Sequence, residues 1–242
     1  MTPIVLEYCP LPWLRYSRKL NCSHPDTWGE LSPRQLIAAV QVMQETITDN
    51  ALISIMLKIP VRLVKRLSLY QKFCIVDLMN FLQTHNPYYE FILPHIGQFH
   101  RPPPRLKDET FGAFIFAETY FAKYIQSEDP QYRAKFIACY YRSEPFHEKD
   151  IAGRALVISR QGEARQEAIF VNYFLIREWF VEQYPAIFTP ADDQTKTEKS
   201  SWIDVYDAIV GDNLVQQEEY ANLEISTVLR YLDKRIKANR TK

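Results

Sequence analysis

Glu118 is the residue whose surroundings most suggest acid–base chemistry. It lies within Phe116-Ala-Glu-Thr-Tyr-Phe121, and a carboxyl buried among aromatic rings has its pKa raised toward that of a general acid. The plainer reading is a structural carboxylate that faces solvent or pairs with Arg142 or Lys123. Glu178, in Arg177-Glu-Trp179, poses the same choice. Glu144 and His147 share a polar loop and have the types of a general-base pair, but no nucleophile lies near them in sequence. The histidines are His24, His85, His95, His100 and His147. His95 and His100 match no helical metal motif, so these residues read as surface or hydrogen-bonded loop histidines. Cys9, Cys22, Cys74 and Cys139 are dispersed without a CxxC pair, which points to reduced thiols. The residue types therefore predict no catalytic residue, no metal and no cofactor.

The basic residues are better organised. Lys58, Arg62, Lys65, Arg66 and Lys72 fall between Asn50 and Val76, with no acidic residue among them and Tyr70 nearby. Such a run contacts phosphates, forms the solvated face of short helices, or docks on an acidic partner protein. Arg101-Pro-Pro-Pro-Arg105 is a second recognition candidate, because polyproline II costs little ordering entropy on binding; a rigid spacer is its plainer role. Tyr140-Tyr141-Arg142 is either a surface anchor or packing. The expected partner-contact set is Lys58, Arg62, Lys65, Arg66, Lys72, Arg101, Arg105 and Tyr141. The basic tail from Arg230 to Lys242 has a simpler explanation in the dipole of the helix it ends.

The elements that hold these residues follow from periodicity and caps. Ser32-Pro-Arg-Gln35 has the pattern of a capping box with proline at the first helical position, and Leu36, Val40, Met43 and Ile47 follow at helical spacing. Ser68-Leu-Tyr-Gln71 repeats the box and predicts a helix to about Leu82. Leu69, Phe73, Val76 and Asn80 fall on one stripe, with Ile75, Met79 and Leu82 beside it. Asp108 or Thr110 caps a helix to Ile125, and Asp129-Pro130 starts another. Residues 151–159 are ambiguous between helix and strand. The longest helix runs from about Glu163 to Tyr184, apolar over much of its circumference and hence central. Further helices are expected over Trp202–Ile209 and from Leu223 or Glu224, with the polar stretch 189–200 between them and the long helix.

Composition narrows the class. The 242 residues include 29 Lys plus Arg and 29 Asp plus Glu, giving zero formal charge, which disfavours a mainly electrostatic nucleic-acid binder. Six glycines disfavour phosphate-cradling nucleotide folds. No run reaches the roughly 18–20 apolar residues of a membrane span, and the first fifteen residues lack the pattern of a secretory signal. The expectation is a mainly α, irregular multi-helix bundle with a proline- and aromatic-rich connector, located in the cytoplasm. Its parts are an irregular arm (1–30), a helical subdomain (31–83), the connector (84–107) and a second helical subdomain (108–242) packed as one body with the first. Trp13, Tyr16 and Trp28 are expected to pin the arm.

The order of segments resembles tail-assembly or tail-associated proteins of phages and prophages of Bacteroidetes-type bacteria. The residues carrying the likeness are Trp28-Gly-Glu-Leu-Ser-Pro-Arg-Gln35, Ile59-Pro60, Arg66-Leu-Ser-Leu-Tyr-Gln71, Leu106-Lys-Asp-Glu-Thr-Phe-Gly-Ala-Phe114, Ala117-Glu-Thr-Tyr-Phe121, and the helices over Trp202–Ile209 and Leu223–Leu232. The resemblance implies a non-enzymatic chaperone or adaptor that binds a tape-measure or tail protein. Two other expectations stand beside it. One is an enzyme using Glu118; the other is a nucleic-acid-associated factor using the Lys58–Lys72 run.

Overall fold

The computed structural model describes residues 1–10, 16–84, 86–188, 202–211 and 216–240. They form two compact units, Met1–Tyr88 and Tyr89–Lys242. The fold is mainly α-helical, with prolines at helix starts and dense aromatic clusters.

The first unit corrects the expectation of an irregular arm. Strands β1 (Thr2–Tyr8) and β2 (Arg18–His24) pair antiparallel, with Ile4 opposite Cys22 and Leu6 opposite Leu20. Ile4-Val5-Leu6 has the aliphatic, partly β-branched character that suits a half-buried strand. Leu6 is buried and Val5 is exposed. The prolines that argued for irregular chain do not break the ladder: Pro3 sits near the start of a two-stranded sheet, where an edge tolerates it, and Pro10 follows the strand. Trp28 is buried and its indole N–H donates to the Thr84 carbonyl at 2.9 Å. Tyr16 is exposed, and Trp13 lies outside the described residues.

Helix α1 (Pro33–Met43) starts at the Ser32–Gln35 capping box. Gln35 does a second job: its side-chain amide donates to the Met56 carbonyl at 2.7 Å, where α2 (Asp49–Met56) ends. After Pro60 comes the single turn α3 (Val61–Val64). Helix α4 (Leu69–Asp77) opens on the Ser68–Gln71 capping box and stops five residues short of the expected end, giving way to a 3-10 turn over Asn80–Gln83. Gln71 also donates to the Glu7 carbonyl at 2.8 Å, tying α4 to the hairpin. Leu36, Val40, Ile53, Met56, Val64 and Ile75 form the apolar interior.

In the second unit the proline-rich segment is ordered and packed. A two-residue turn with Gly97 at φ 56° joins β3 (His95–Ile96) to β4 (Phe99–His100). Pro103 is in polyproline II geometry (φ −57°, ψ 156°), but the next residues turn through a 3-10 helix with Arg105 at φ 63°. The triple proline is therefore a corner. Helices α5 (Phe111–Ser127), α6 (Pro130–Tyr140), α7 (Ile151–Ser159) and α8 (Glu163–Gln183) follow, so the ambiguous 151–159 stretch is helical. The remaining helices are α9 (Pro185–Phe188), α10 (Trp202–Val210), α11 (Gln217–Ala221) and α12 (Ile225–Arg240). Thr110 caps α5, accepting from Ala113 N–H, and Asp129 caps α6. Helix α8 is central as expected. Its Asn172 carboxamide accepts from Ile92 N–H at 2.6 Å and donates to the Glu90 carbonyl at 3.1 Å, satisfying backbone that the connector buries. The stretch 189–200 lies outside the described residues.

Candidate functional site

Glu118 is buried, and its carboxylate is saturated. Tyr173 Oη donates to Oε1 at 2.8 Å, Arg177 Nε lies 3.2–3.3 Å from both oxygens, and Trp202 Nε1 donates to Oε2 at 3.1 Å. Arg177 takes the place of the expected partners Arg142 and Lys123. Tyr140 extends the cluster, its hydroxyl 3.3 Å from that of Tyr173. Burial opposes charge on Arg177, yet the Glu118 carboxylate and Tyr173 hold its pKa above the ordinary value. Burial, aided by the Glu118 charge, pushes the Tyr173 phenol far up. With its acceptor sites directed at donors from α8 and α10, Glu118 has the geometry of a structural anchor, which leaves no lone pair aimed at open space. Arg142 pairs with Glu109, while Glu144 and His147 are exposed. His95 and His100 face each other across the β3–β4 ladder, both exposed. Among the described residues no group of three or more His, Cys, Asp or Glu is placed to hold a metal ion.

The expected contact residues divide by unit. Tyr141 is corrected: it is fully buried and its hydroxyl donates to the Leu93 carbonyl at 2.8 Å. It is packing because an aromatic ring following the last turn of α6 falls under the connector, where Phe91 meets it edge-on at 5.4 Å. Arg101 is half-buried, pairs with Glu90 and donates to the Phe91 carbonyl. Arg105 is exposed, with its guanidinium 5.2 Å from the centroid of the Tyr89 ring. Both arginines thus secure the connector.

The basic residues of the first unit are different. Lys58, Arg62, Lys65 and Arg66 are exposed and Lys72 is half-buried. Among the described residues none of the five makes an ion pair. Lys72 lies beside a feature whose facing the periodicity left open. Helix α4 is apolar on two stripes. Ile75 and the following Met79 are buried, at 2% and 4% exposure, whereas Leu69, Phe73 and Val76 point outward at 84%, 70% and 41%. Tyr70, beside them, is 77% exposed. Isolated exposed apolar residues are ordinary, but large ones at i, i+4 and i+7 on one helix form a continuous patch.

This patch is one wall of a cleft of about 530 Å³. Leu69, Lys72, Phe73 and Val76 line the α4 side, and Thr48, Asp49, Asn50 and Ile53 at the start of α2 line the other. Helices α2 and α4 are in contact, and Ile53 and Ile75 are both buried. Periodicity alone does not mark Leu69, Phe73 and Val76 as the surface stripe. The available signal was that nine residues carry two apolar stripes, more than a short helix covers on one side.

Comparison with protein-family models, with curated proteins and with solved structures finds no match to this chain. The tail-assembly, virion, prophage and cytoplasmic terms that went with the resemblance are corrected accordingly: no matching family, relative or structure carries them, and the mainly helical fold is what stands. No described helix is long and apolar enough to cross a membrane.

Proposed function

We propose that this protein is a non-catalytic binding protein that holds a segment of another protein against α4 of its first unit. The observation that carries the reading is the outward stripe of Leu69, Phe73 and Val76 on a helix whose neighbouring stripe is buried. Water-exposed surface of that kind is stabilised when a partner covers it, at about 25 cal/mol per Å² of apolar area, and recognition of a helix face through i, i+4 and i+7 anchors is a recurrent mode. The saturated state of Glu118 supports a binding role over acid–base chemistry. The placement of Arg101 and Arg105 within the connector, and of Tyr141 buried beneath it, reduces the contact set to the first unit.

The test is a photoreactive phenylalanine analogue at position 73 of the full chain, expressed in the producing cell. The crosslinked protein is identified, purified and recombined with the unmodified chain. The expected result is a defined complex that Phe73→Ser weakens by about 30-fold or more, the loss typical of an interface hot spot, with the urea midpoint unchanged. A complex insensitive to Phe73→Ser and Leu69→Ser overturns the reading.

A further inference from the structure

We infer that the segment held by α4 is an acidic amphipathic helix of a partner protein, seated in the cleft between α2 and α4 with its acidic end over Lys65 and Arg66. This rests on the binding role proposed above and adds the chemistry of the occupant. Three observations carry it.

The first is charge. From Ala51 to Val76 the chain has five basic residues and no acidic one. Their side chains make no ion pair among the described residues, so their charge is available to a partner. The asymmetry has a direction along α4. Lys65 and Arg66 lie three and two residues before its Ser68 cap, and Lys72 lines the cleft one turn inside, while Asp77 closes the helix. The amino-terminal end of the stripe is therefore positive twice over, from side chains and from the helix dipole. Carboxylates of an occupant are favoured there and disfavoured beside Asp77.

The second is shape. From Leu69 to Val76 the stripe covers two helical turns, about 10 Å. A helix laid alongside meets it with two or three aliphatic anchors at matching spacing. A concave cleft walled on the far side by Thr48, Asp49 and Asn50 suits such a rod.

The third separates this occupant from others rich in negative charge. Asp49 lines the cleft together with Lys72. A membrane of anionic lipid presses a continuous sheet of negative headgroups on both walls at once and meets that carboxylate. A nucleic-acid duplex offers phosphates to the lysines but keeps its bases paired and stacked, so it does not cover Leu69 and Phe73. A helix places carboxylates selectively, at one end and along one flank.

The experiment uses the full chain and three fluorescein-labelled helical peptides of fifteen residues. All carry leucine at i, i+4, i+7 and i+11. One has glutamate on its flanks, the second lysine, the third glutamine. Anisotropy titration is run at about 50 mM and about 300 mM salt, the latter shortening the screening length by more than half. The glutamate peptide is expected to bind about tenfold more tightly than the lysine peptide at low salt, with most of that preference lost at high salt. The double variant Lys65→Glu, Arg66→Glu is expected to invert the order. Phe73→Ser is expected to remove binding of every peptide, and Val76→Ser, at a second exposed position, to weaken it. Equal binding of the glutamate and lysine peptides, abolished by Phe73→Ser, overturns the acidic partner and leaves the docking role intact. Glutamate-peptide binding that ignores both Phe73→Ser and Val76→Ser overturns the site. Absence of binding by all three peptides overturns the helical occupant, as does Phe73-dependent binding to phosphatidylserine vesicles in preference to the peptides.

Discussion

The Tyr173 hydroxyl of α8 donates to the Glu118 carboxylate of α5 at 2.8 Å inside the aromatic core of the second unit. One turn further along α8, Arg177 supplies the countercharge, and Trp202, the first residue of α10, supplies the third donor. A buried carboxylate is tolerable only when its acceptor sites are filled, so this one residue fixes where α8 and α10 begin to pack on α5. Removing it strands three donors at once. Glu118→Ala is expected to destabilise the protein by about 3 kcal/mol, toward the lower end for a broken buried pair because Arg177 reaches partly into solvent. Tyr173→Phe deletes one donor and is expected to cost about 1–3 kcal/mol. Urea unfolding of both variants measures this. A Glu118→Ala protein as stable as its parent would show that the cluster does not hold the helices.

The two stripes of α4 make opposite predictions for residues two positions apart. Ile75→Ala removes a buried side chain and is expected to cost about 2–5 kcal/mol. Phe73→Ser removes a larger side chain from the surface and is expected to change stability by no more than about 0.5 kcal/mol. Thermal or urea midpoints for the pair check the direction in which the helix faces. A Phe73→Ser protein destabilised as much as Ile75→Ala would show that the outward stripe is covered in the folded chain.

Local signals in this chain were legible where a single residue type has one physical use. Ser32 with Gln35, Ser68 with Gln71, Thr110 and Asp129 mark helix starts because a side-chain acceptor must meet unpaired backbone N–H groups there, and each of these starts is observed. The central place of α8 was legible from apolar residues around its circumference. What escaped was everything decided by the choice between equivalent faces. Leu69–Phe73–Val76 and Ile75–Met79 are both sound apolar stripes, and only the position of α2 selects the second. Tyr141 carries the same features as an interface anchor, and only the connector above it makes it core. The β1–β2 hairpin was hidden for a related reason: Pro3 and Pro10 suggested broken chain, whereas each occupies a place that a two-stranded ladder permits. At the candidate site the charges were visible in sequence, and the apolar surface that gives them a use was not.

Cys139 reports on the integrity of α6. Its thiol is fully buried, and burial pushes its pKa far above the ordinary value, against a small opposing pull from Arg154 and Arg142. Thiolate is the reactive form, so the residue is expected to resist iodoacetamide at pH about 8 while exposed Cys9 is alkylated. Peptide mapping over a urea series should show Cys139 labelled only as the second unit opens. Alkylation of Cys139 at the rate of Cys9 without denaturant would mean that α6 frays from its neighbours in the native state.

The Glu109–Arg142 pair gives stability a pH dependence of definite sign. Burial raises the Glu109 carboxyl above its ordinary value of 4.5, the charge and hydrogen bond of Arg142 pull it partly back, and Asp108 adds to the rise. A carboxyl whose folded pKa exceeds its unfolded one binds its proton more tightly when folded. Its contribution to stability is fully present below the unfolded pKa and declines as pH rises through the folded value. Glu109→Gln cannot ionise, yet its side-chain carbonyl still accepts from Arg142, so the variant lacks this dependence. The free energy of unfolding of the parent, measured relative to Glu109→Gln, is therefore expected to fall as the pH is raised from about 4 to about 8 and then to level off. Paired urea titrations across that range provide the comparison. A difference that grows with pH would mean that attraction to Arg142 outweighs the burial of the carboxylate.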